Sequence, residues 1–238
     1  MAGRSRRGAA ARARPSRGRI LLRRAVAVLC VLAVGGVVYL LLFTSLLGVR
    51  SVDVSGVHRA SQEAVEELAA IPDQRPMLRV DTEEVADRVA GIDEVERAEV
   101  GRSWPSTIRI EVIEREEVAY FAAHDGIRLV DEHGVPFHEV GDPPDGLPEL
   151  RTETVSSEDE VTEAVMEVLA TLPGELRESV TTIGADTPGS VEFTLAGGET
   201  VHWGDAGQPD RKARVLDAIL TQPGDVYDVS SPELPTVS

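Results

Sequence analysis

The chain has 238 residues, of which 24 are Lys or Arg and 41 are Asp or Glu, so its formal net charge at pH 7 is −17. Its single cysteine, Cys30, excludes a disulfide framework and leaves residues 48–238 without a thiol nucleophile. Those residues must therefore fold by core packing, and their number suffices for one or two ordinary domains.

The first strong feature is an apolar stretch at 25–47, which carries no charged side chain over 23 residues. As an α-helix it would extend about 34 Å, enough for the ~30 Å hydrocarbon core of a bilayer. Residues 1–24 hold nine arginines and no acid, whereas residues 25–238 hold 15 basic and 41 acidic groups, a net charge of −26. Because arginine beside a span stays in the cytoplasm, we predict a single-pass protein of the cytoplasmic membrane. Its N-terminus would be cytoplasmic and residues 48–238 would lie outside.

The stretch is predicted to be an uncleaved anchor. It is longer than the roughly 7–15-residue core of a signal peptide, and residues 44–50 lack an A-x-A cleavage pattern. The arginine-rich tail, 1–24, has almost nothing to bury and is predicted to be disordered. It acts either as a topology signal or as a contact to anionic lipid, and nucleic-acid binding is a weaker alternative.

Five elements follow in the order strand, helix, helix, strand, strand. Ser61 is a candidate N-cap for the first helix, and Asp81 with Glu84 has capping-box spacing at the second. Ile108 and Ile110 alternate with polar residues, as expected for a half-buried antiparallel strand. The predicted bounds are 49–56, 61–70, 81–91, 95–102 and 107–113. This order indicates a small α+β layer with both helices on one face of the sheet.

The element order resembles a POTRA domain, and four segments resemble more narrowly the FtsQ/DivIB family of bitopic bacterial cell-division proteins. These segments are VRSVDVSGVHRASQEAV directly after the predicted span, EVERAEVGRSWPSTIRIEVIEREEVAYF, IRLVDEHGVPF and LPEL. The resemblance covers residues 20–230 and implies a POTRA domain at 49–117 and an FtsQ-type β domain at 118–231. Residues 232–238 are then a short C-terminal tail.

Within 118–231 the pattern predicts a mixed β domain with flanking helices. Asp131 to Gly134 is a turn by composition, and Pro173 and Pro232 are expected to end the elements before them. The predicted strands are 119–121, 127–130, 135–140, 190–195, 200–203 and 225–230, and the predicted helices are 158–172 and 209–221.

The sequence predicts no catalytic residue, metal site or cofactor. It contains no G-x-S-x-G, S-x-x-K or phosphate-binding glycine loop, and Pro209 stands where an S-x-x-K motif ending at Lys212 would need serine. His133 and His138 flank a turn, but their spacing does not fit a zinc site. No small-molecule substrate is expected.

The expected function is binding of other chains. The resemblance implies that FtsB docks on the end of the β domain. It also implies that the chain holds FtsB and FtsL and acts through them on the septal transglycosylase and transpeptidase. The corresponding residues are Val226, Tyr227, Asp228, Val229 and Ser230 of the last strand, with Arg211, Arg214 and Leu216 of the preceding helix as its flank.

Specific roles are expected for some of these residues. Tyr227 would be a partly buried aromatic anchor, and Arg211 and Arg214 would pair with carboxylates of the partner. Because the chain ends soon after this strand, nothing is expected to fold back over its edge. The alternatives are an ordinary strand aromatic and a solvated helix face.

Two other functions remain as alternatives. A POTRA-bearing chaperone or envelope-assembly protein would call for tandem POTRA repeats or a C-terminal barrel, which the sequence does not show. An anchored cell-wall hydrolase or its regulator is disfavoured by the missing nucleophile and metal motifs. In the POTRA region, 95–102 or 52–54 is the expected exposed edge, and Trp104 either caps the hairpin or contacts a partner.

Overall fold

A computed structural model describes residues 17–43, 48–124 and 126–238. Within these ranges the chain forms six α-helices and twelve β-strands. The helices are α1 (Arg17–Phe43), α2 (Gln62–Ala69), α3 (Thr82–Val89), α4 (Glu160–Thr171), α5 (Gly174–Ser179) and α6 (Pro209–Ile219). The strands are β1 (Ser51–Ser55), β2 (Val95–Ser103), β3 (Thr107–Glu114), β4 (Ala119–Ala123), β5 (Gly126–Val130), β6 (Pro136–Val140), β7 (Glu149–Arg151), β8 (Val180–Gly184), β9 (Val191–Leu195), β10 (Thr200–Gly204), β11 (Val226–Asp228) and β12 (Thr236–Val237).

Helix α1 contains most of the predicted span, and its described aliphatic side chains, such as Leu29 and Val31, are exposed. Residues 1–16 of the predicted tail and 44–47 of the predicted span lie outside the described ranges. Across the described residues, no helix has both the length and the apolar character needed to cross a membrane.

Residues 48–114 form the predicted α+β layer. The sheet order is β1-β3-β2, with β1 parallel and β2 antiparallel to the central strand β3. Ile108 and Ile110 are buried under α2 and α3, while Arg109 between them is exposed, so both helices cover one face. Both predicted caps are confirmed: Ser61 Oγ accepts from the Ala64 N–H, and Asp81 Oδ1 accepts from the Glu83 and Glu84 N–H groups.

Residues 119–238 form a nine-stranded mixed sheet in the order β12-β11-β10-β9-β8-β7-β4-β5-β6. Its core joins Val165 and Leu169 of α4 and Leu216 of α6 to Phe193 and Trp203 of the sheet. The predicted strands pair as hairpins, β5 with β6 and β9 with β10, and β4 also pairs antiparallel with β5. Strands β7, β8 and β12 and helix α5 were not predicted.

The two units meet at a buried ion pair and at a half-buried contact between a histidine and a carboxylate. Arg115 Nη1 lies 2.5 Å from Asp131 Oδ2, and His138 Nδ1 lies 3.2 Å from Glu94 Oε1. Asp131 also organises the predicted turn, since its Oδ1 accepts the N–H groups of His133 and Val135. One carboxylate therefore serves both the turn and the junction.

Candidate partner-binding site

The last strand predicted from the sequence is not the edge of the sheet, which corrects the expectation that nothing folds back over it. Strand β12, from the predicted tail, pairs antiparallel with the outer side of β11. Leu234 N–H bonds to the Ser231 carbonyl at 2.9 Å, so the proline-flanked segment reverses the chain. Proline was expected to end the sheet, but here it terminates one strand and leads into a turn and another strand.

Tyr227 is a core residue and not a partly buried anchor, because only 2% of it is exposed. Its hydroxyl donates to the Gln222 carbonyl at 2.7 Å, which satisfies the polar end of the ring. Val229 and Leu216 are also buried in the core. These three predicted site residues hold α6 and β11 in place, and their side chains are not available to a partner.

The remaining predicted residues lie at the surface. Arg214 and Ser230 are exposed, while Val226 and Asp228 are half-buried. Asp228 Oδ1 accepts from the N–H (2.9 Å) and the hydroxyl (2.6 Å) of Ser230, and this pair ends β11. Only the helix arginines therefore remain as charged contact residues of the kind expected.

Arg211 already has a partner within the chain. Its Nη1 lies 2.6 Å from Glu233 Oε1, which ties the start of α6 to the turn between β11 and β12. The neighbouring Leu234 is 79% exposed. Sequence reasoning missed it because 232–238 was taken as a tail, although an aliphatic residue between Glu233 and Pro235 was the available signal.

The free edge of β12 offers few backbone groups. Val226 and Ser238 exchange both of their backbone hydrogen bonds, each at 3.0 Å. Because hydrogen-bonded and non-hydrogen-bonded pairs alternate along an antiparallel ladder, the N–H and carbonyl of Val237 point away from β11. Pro235 has no N–H. The edge therefore presents the Val237 N–H as its donor, flanked by carbonyl acceptors.

An apolar groove runs beside α6. It has a volume of about 490 Å³ and is lined by Leu176 of α5, Leu195 of β9 and Leu220 at the C-cap of α6. Arg214 lies along the groove and Asp217 follows one turn later. The arrangement can accept an apolar side chain while offering a cation to a carboxylate.

A buried lysine fixes the start of α6. Lys212, the only lysine of the chain, donates from Nζ to the carbonyl and to Oδ1 of Asp205, both at 2.8 Å. The hydrogen bond from Lys212 lowers the pKa of the Asp205 carboxyl, helped by the Gly207 N–H. Nζ also lies 5.8 Å from the centre of the Trp203 ring. The helix that carries Arg211 and Arg214 is thereby held against the sheet.

The described part of the chain contains no cluster of three or more His, Cys, Asp or Glu side chains arranged to hold a metal ion. His133 and His138, weighed as ligands in the sequence, instead lie beside Glu132 (3.9 Å) and Glu94 (3.2 Å), respectively.

Known proteins match the chain over both units. Residues 47–115 match the family described as POTRA domain, FtsQ-type, and residues 119–231 match the family described as Cell division protein FtsQ/DivIB, C-terminal. The protein named Cell division protein FtsQ from Mycobacteroides abscessus is 41% identical over 212 residues, covering 89% of this chain and 68% of that protein.

Two further relatives carry the same name. The one from Mycolicibacterium smegmatis is 42% identical over 83% of this chain, which spans only 59% of that protein's length. The one from Streptomyces coelicolor is 31% identical, and the match covers 95% of this chain and 90% of the relative.

Proposed function

This chain belongs to the FtsQ family of cell-division proteins, and from that premise we propose that it is a non-enzymatic scaffold of the division machinery. In this proposal its β domain binds FtsB- and FtsL-type bitopic proteins outside the cytoplasmic membrane. Through them it helps recruit and regulate the septal transglycosylase and transpeptidase. It would work at the division septum, without a cofactor and without nucleic acid.

The observation that carries this proposal is the open edge of β12, which follows the turn that Arg211 of α6 contacts through Glu233. A two-residue edge strand with an outward N–H can accept one more strand. Leu234, exposed in the turn before β12, would then contribute an apolar contact, and Arg214, beside the groove along α6, would contribute a separate charge contact. We therefore place the added strand on β12, one strand beyond the predicted β11.

Anchoring is part of the same proposal. The uncharged stretch 25–47 is proposed to span the cytoplasmic membrane, with the arginine-rich residues 1–24 inside. The exposed aliphatic side chains of α1 support this, because water is a poor environment for such a surface.

The test is co-purification of the full chain with the FtsB- and FtsL-type proteins of the same organism. Val237→Pro removes the outward N–H without touching a hydrogen bond to β11, and Arg214→Glu reverses the exposed charge beside the groove along α6. Each is expected to weaken partner binding roughly tenfold, since a hydrogen bond or charge contact contributes about 1–1.5 kcal/mol.

Matched controls distinguish the loss of a partner contact at the β12 edge from general misfolding. Thr236→Ala keeps every backbone donor of β12, and Arg97→Glu reverses an exposed cation in β2, far from α6. Both are expected to bind like the parent. If Val237→Pro and Arg214→Glu also bind like the parent, the proposed edge is wrong; if the unmodified chain captures neither partner, the scaffold function itself fails.

A further inference from the structure

The three-stranded sheet carries a cluster of arginine and apolar side chains at the end where the chain enters β1. Three segments build this end, 48–51, 74–80 and 101–107, and backbone hydrogen bonds hold them together. Val49 N–H donates to the Arg75 carbonyl at 2.9 Å, and Arg50 N–H donates to the Ser106 carbonyl at 2.8 Å. The cluster is therefore built on a hydrogen-bonded framework and not on a loose loop.

The side chain of Arg102 reinforces the framework through its guanidinium group. Arg102 Nε donates to the Met77 carbonyl at 2.9 Å and its Nη2 donates to the Val80 carbonyl at 2.5 Å. Met77 is itself buried, so the 3₁₀ turn Met77–Arg79 is fixed against the sheet from both sides. The side chains between these contacts consequently point outward from a rigid base.

The outward side chains combine two chemistries. Trp104 is 53% exposed and Leu78 is 45% exposed. Arg50, Arg75 and Arg79 are exposed around them. We call these five residues the anchor-proximal patch.

Charge distinguishes the patch from the rest of residues 48–238. The three segments contain four arginines and no Asp or Glu, although residues 25–238 carry a net charge of −26. A local cation cluster in such an acidic chain is attracted to an anionic surface, while the remainder is repelled by one. The patch therefore has a preferred orientation towards negative charge.

The patch also lies where the proposed membrane would be. Ser51 pairs with Thr107 in the parallel β1–β3 ladder, so the turn bearing Trp104 is beside the start of β1. Helix α1 approaches the turn Met77–Arg79. The patch is thus at the end of the sheet that faces α1.

We propose that the anchor-proximal patch docks on anionic lipid headgroups at the outer surface of the cytoplasmic membrane. The inference rests on the proposed membrane anchor and adds a second contact to it. Trp104 and Leu78 enter the interfacial layer, where tryptophan is favoured, and the arginines contact lipid phosphates. Docking sets the sheet at a fixed orientation, with the opposite end of β3 and the β domain directed away from the bilayer.

The test uses the full chain in vesicles made with an anionic lipid and lipids brominated near the headgroup end of their chains. Bromine quenches tryptophan only at short range. The chain has two tryptophans, and Trp203 is fully buried in the β domain, so Trp104→Phe supplies the background emission. We expect brominated lipid to remove most of the emission that Trp104 adds over that background.

Charge reversal tests the arginines. Arg75→Glu with Arg79→Glu should reduce the ratio of docked to undocked molecules by at least fivefold, since each arginine near an anionic surface is worth about 1 kcal/mol. Arg97→Glu is the matched control: Arg97 pairs with Ile113 at the other end of the same sheet, roughly 20 Å away, and should not change quenching.

Vesicle flotation separates the two proposals. If the chain floats with the vesicles but Trp104 is not quenched, lipid docking is wrong and the membrane anchor is supported. The patch would then be a binding surface for a protein partner. Equal quenching in the parent and in the double arginine variant overturns the charge contact. A chain that fails to float overturns the anchor, and the docking proposal falls with it.

Discussion

At the scale of single residues, Lys212 is the side chain whose removal should matter most to the candidate site. It is only 1% exposed, and replacing it by alanine leaves a cavity near Trp203 and removes the donor to the Asp205 carbonyl. We expect Lys212→Ala to lower the free energy of unfolding by about 2–3 kcal/mol, measured with urea. Lys212→Met should lose roughly half as much, because it keeps the apolar stem.

The same lysine offers an independent measurement. As the only lysine, it is the only side-chain amine of the chain, and it is buried. An amine-reactive label should therefore modify the native protein at the N-terminal amine alone, and Lys212 only after urea unfolding. Rapid native labelling of Lys212 would contradict the tight packing of α6 against the sheet.

Glu114 should make stability depend on pH. Its side chain is 10% exposed, and its Oε1 accepts N–H bonds from His58 (2.7 Å), Arg59 (2.9 Å) and Ala60 (3.0 Å). Burial by itself raises the pKa of Glu114, but the three backbone donors together outweigh it, so the pKa lies below its ordinary value of 4.5. The folded state therefore favours the ionised carboxylate.

The sign of the effect follows from that direction. A carboxyl whose pKa is lowered on folding contributes its full stability above the unfolded pKa, near 4.5, and loses it as the pH falls through the lower folded value. Glu114→Gln should cost about 1–2 kcal/mol at pH 7, and the difference should shrink below pH ~4.5. Glu116→Gln, an exposed neighbour, should show neither effect in urea titrations followed by circular dichroism.

At the scale of elements, the start of α6 contains correctable strain. Gln208 caps this helix in the left-handed region, at φ 56° and ψ 42°, where a β-carbon is unfavourable. Gln208→Gly should raise the free energy of unfolding by about 0.5–1 kcal/mol despite the added freedom of the unfolded chain. Gln222→Gly, at a residue without positive φ, should lower the free energy of unfolding. Thermal unfolding of both variants tests this prediction.

Elements with strong local signals could be predicted from the sequence. Ser61 and Asp81 marked both caps, and the alternation around Ile108 marked β3. The three-residue β7 and the two-residue β12 could not be predicted, since strands this short carry no period of their own. They are strands only because β4, β8 and β11 supply partners distant in the chain.

The sequence did not show which of the candidate site residues are buried. An aromatic in the last predicted strand can face the core or a partner, and the strand pattern alone does not distinguish the two faces. Tyr227 faces the core because α6 covers that side of the sheet. The exposed Leu234 was missed because it belongs to a turn that exists only when β12 pairs.

At the scale of the whole molecule, the junction between the two units determines whether partner binding or mechanical force at one unit affects the stability of the other unit. Arg115 lies at the end of the first unit and bonds both to Asp131, across the junction, and to the Asp93 carbonyl at 3.1 Å. Its side chain is largely buried, so this pair is screened less than an exposed one. Because the Arg115–Asp131 pair is more buried than the His138–Glu94 contact, Arg115 is the side chain expected to couple unfolding of the two units most strongly.

Arg115→Met should uncouple the units while preserving much of the apolar volume. Asp131 keeps its two backbone donors and the turn, so the expected cost is about 1–3 kcal/mol and falls mainly on the junction. Hydrogen exchange by peptide should then show 48–115 and 119–238 opening with different free energies, whereas the parent opens them together. Arg97→Met removes an exposed cation that pairs with its neighbour Glu96 and should leave exchange unchanged. Identical exchange in Arg115→Met and the parent would mean that Arg115 does not couple the two units, and that partner binding at β12 cannot be transmitted to the membrane-facing unit through this pair.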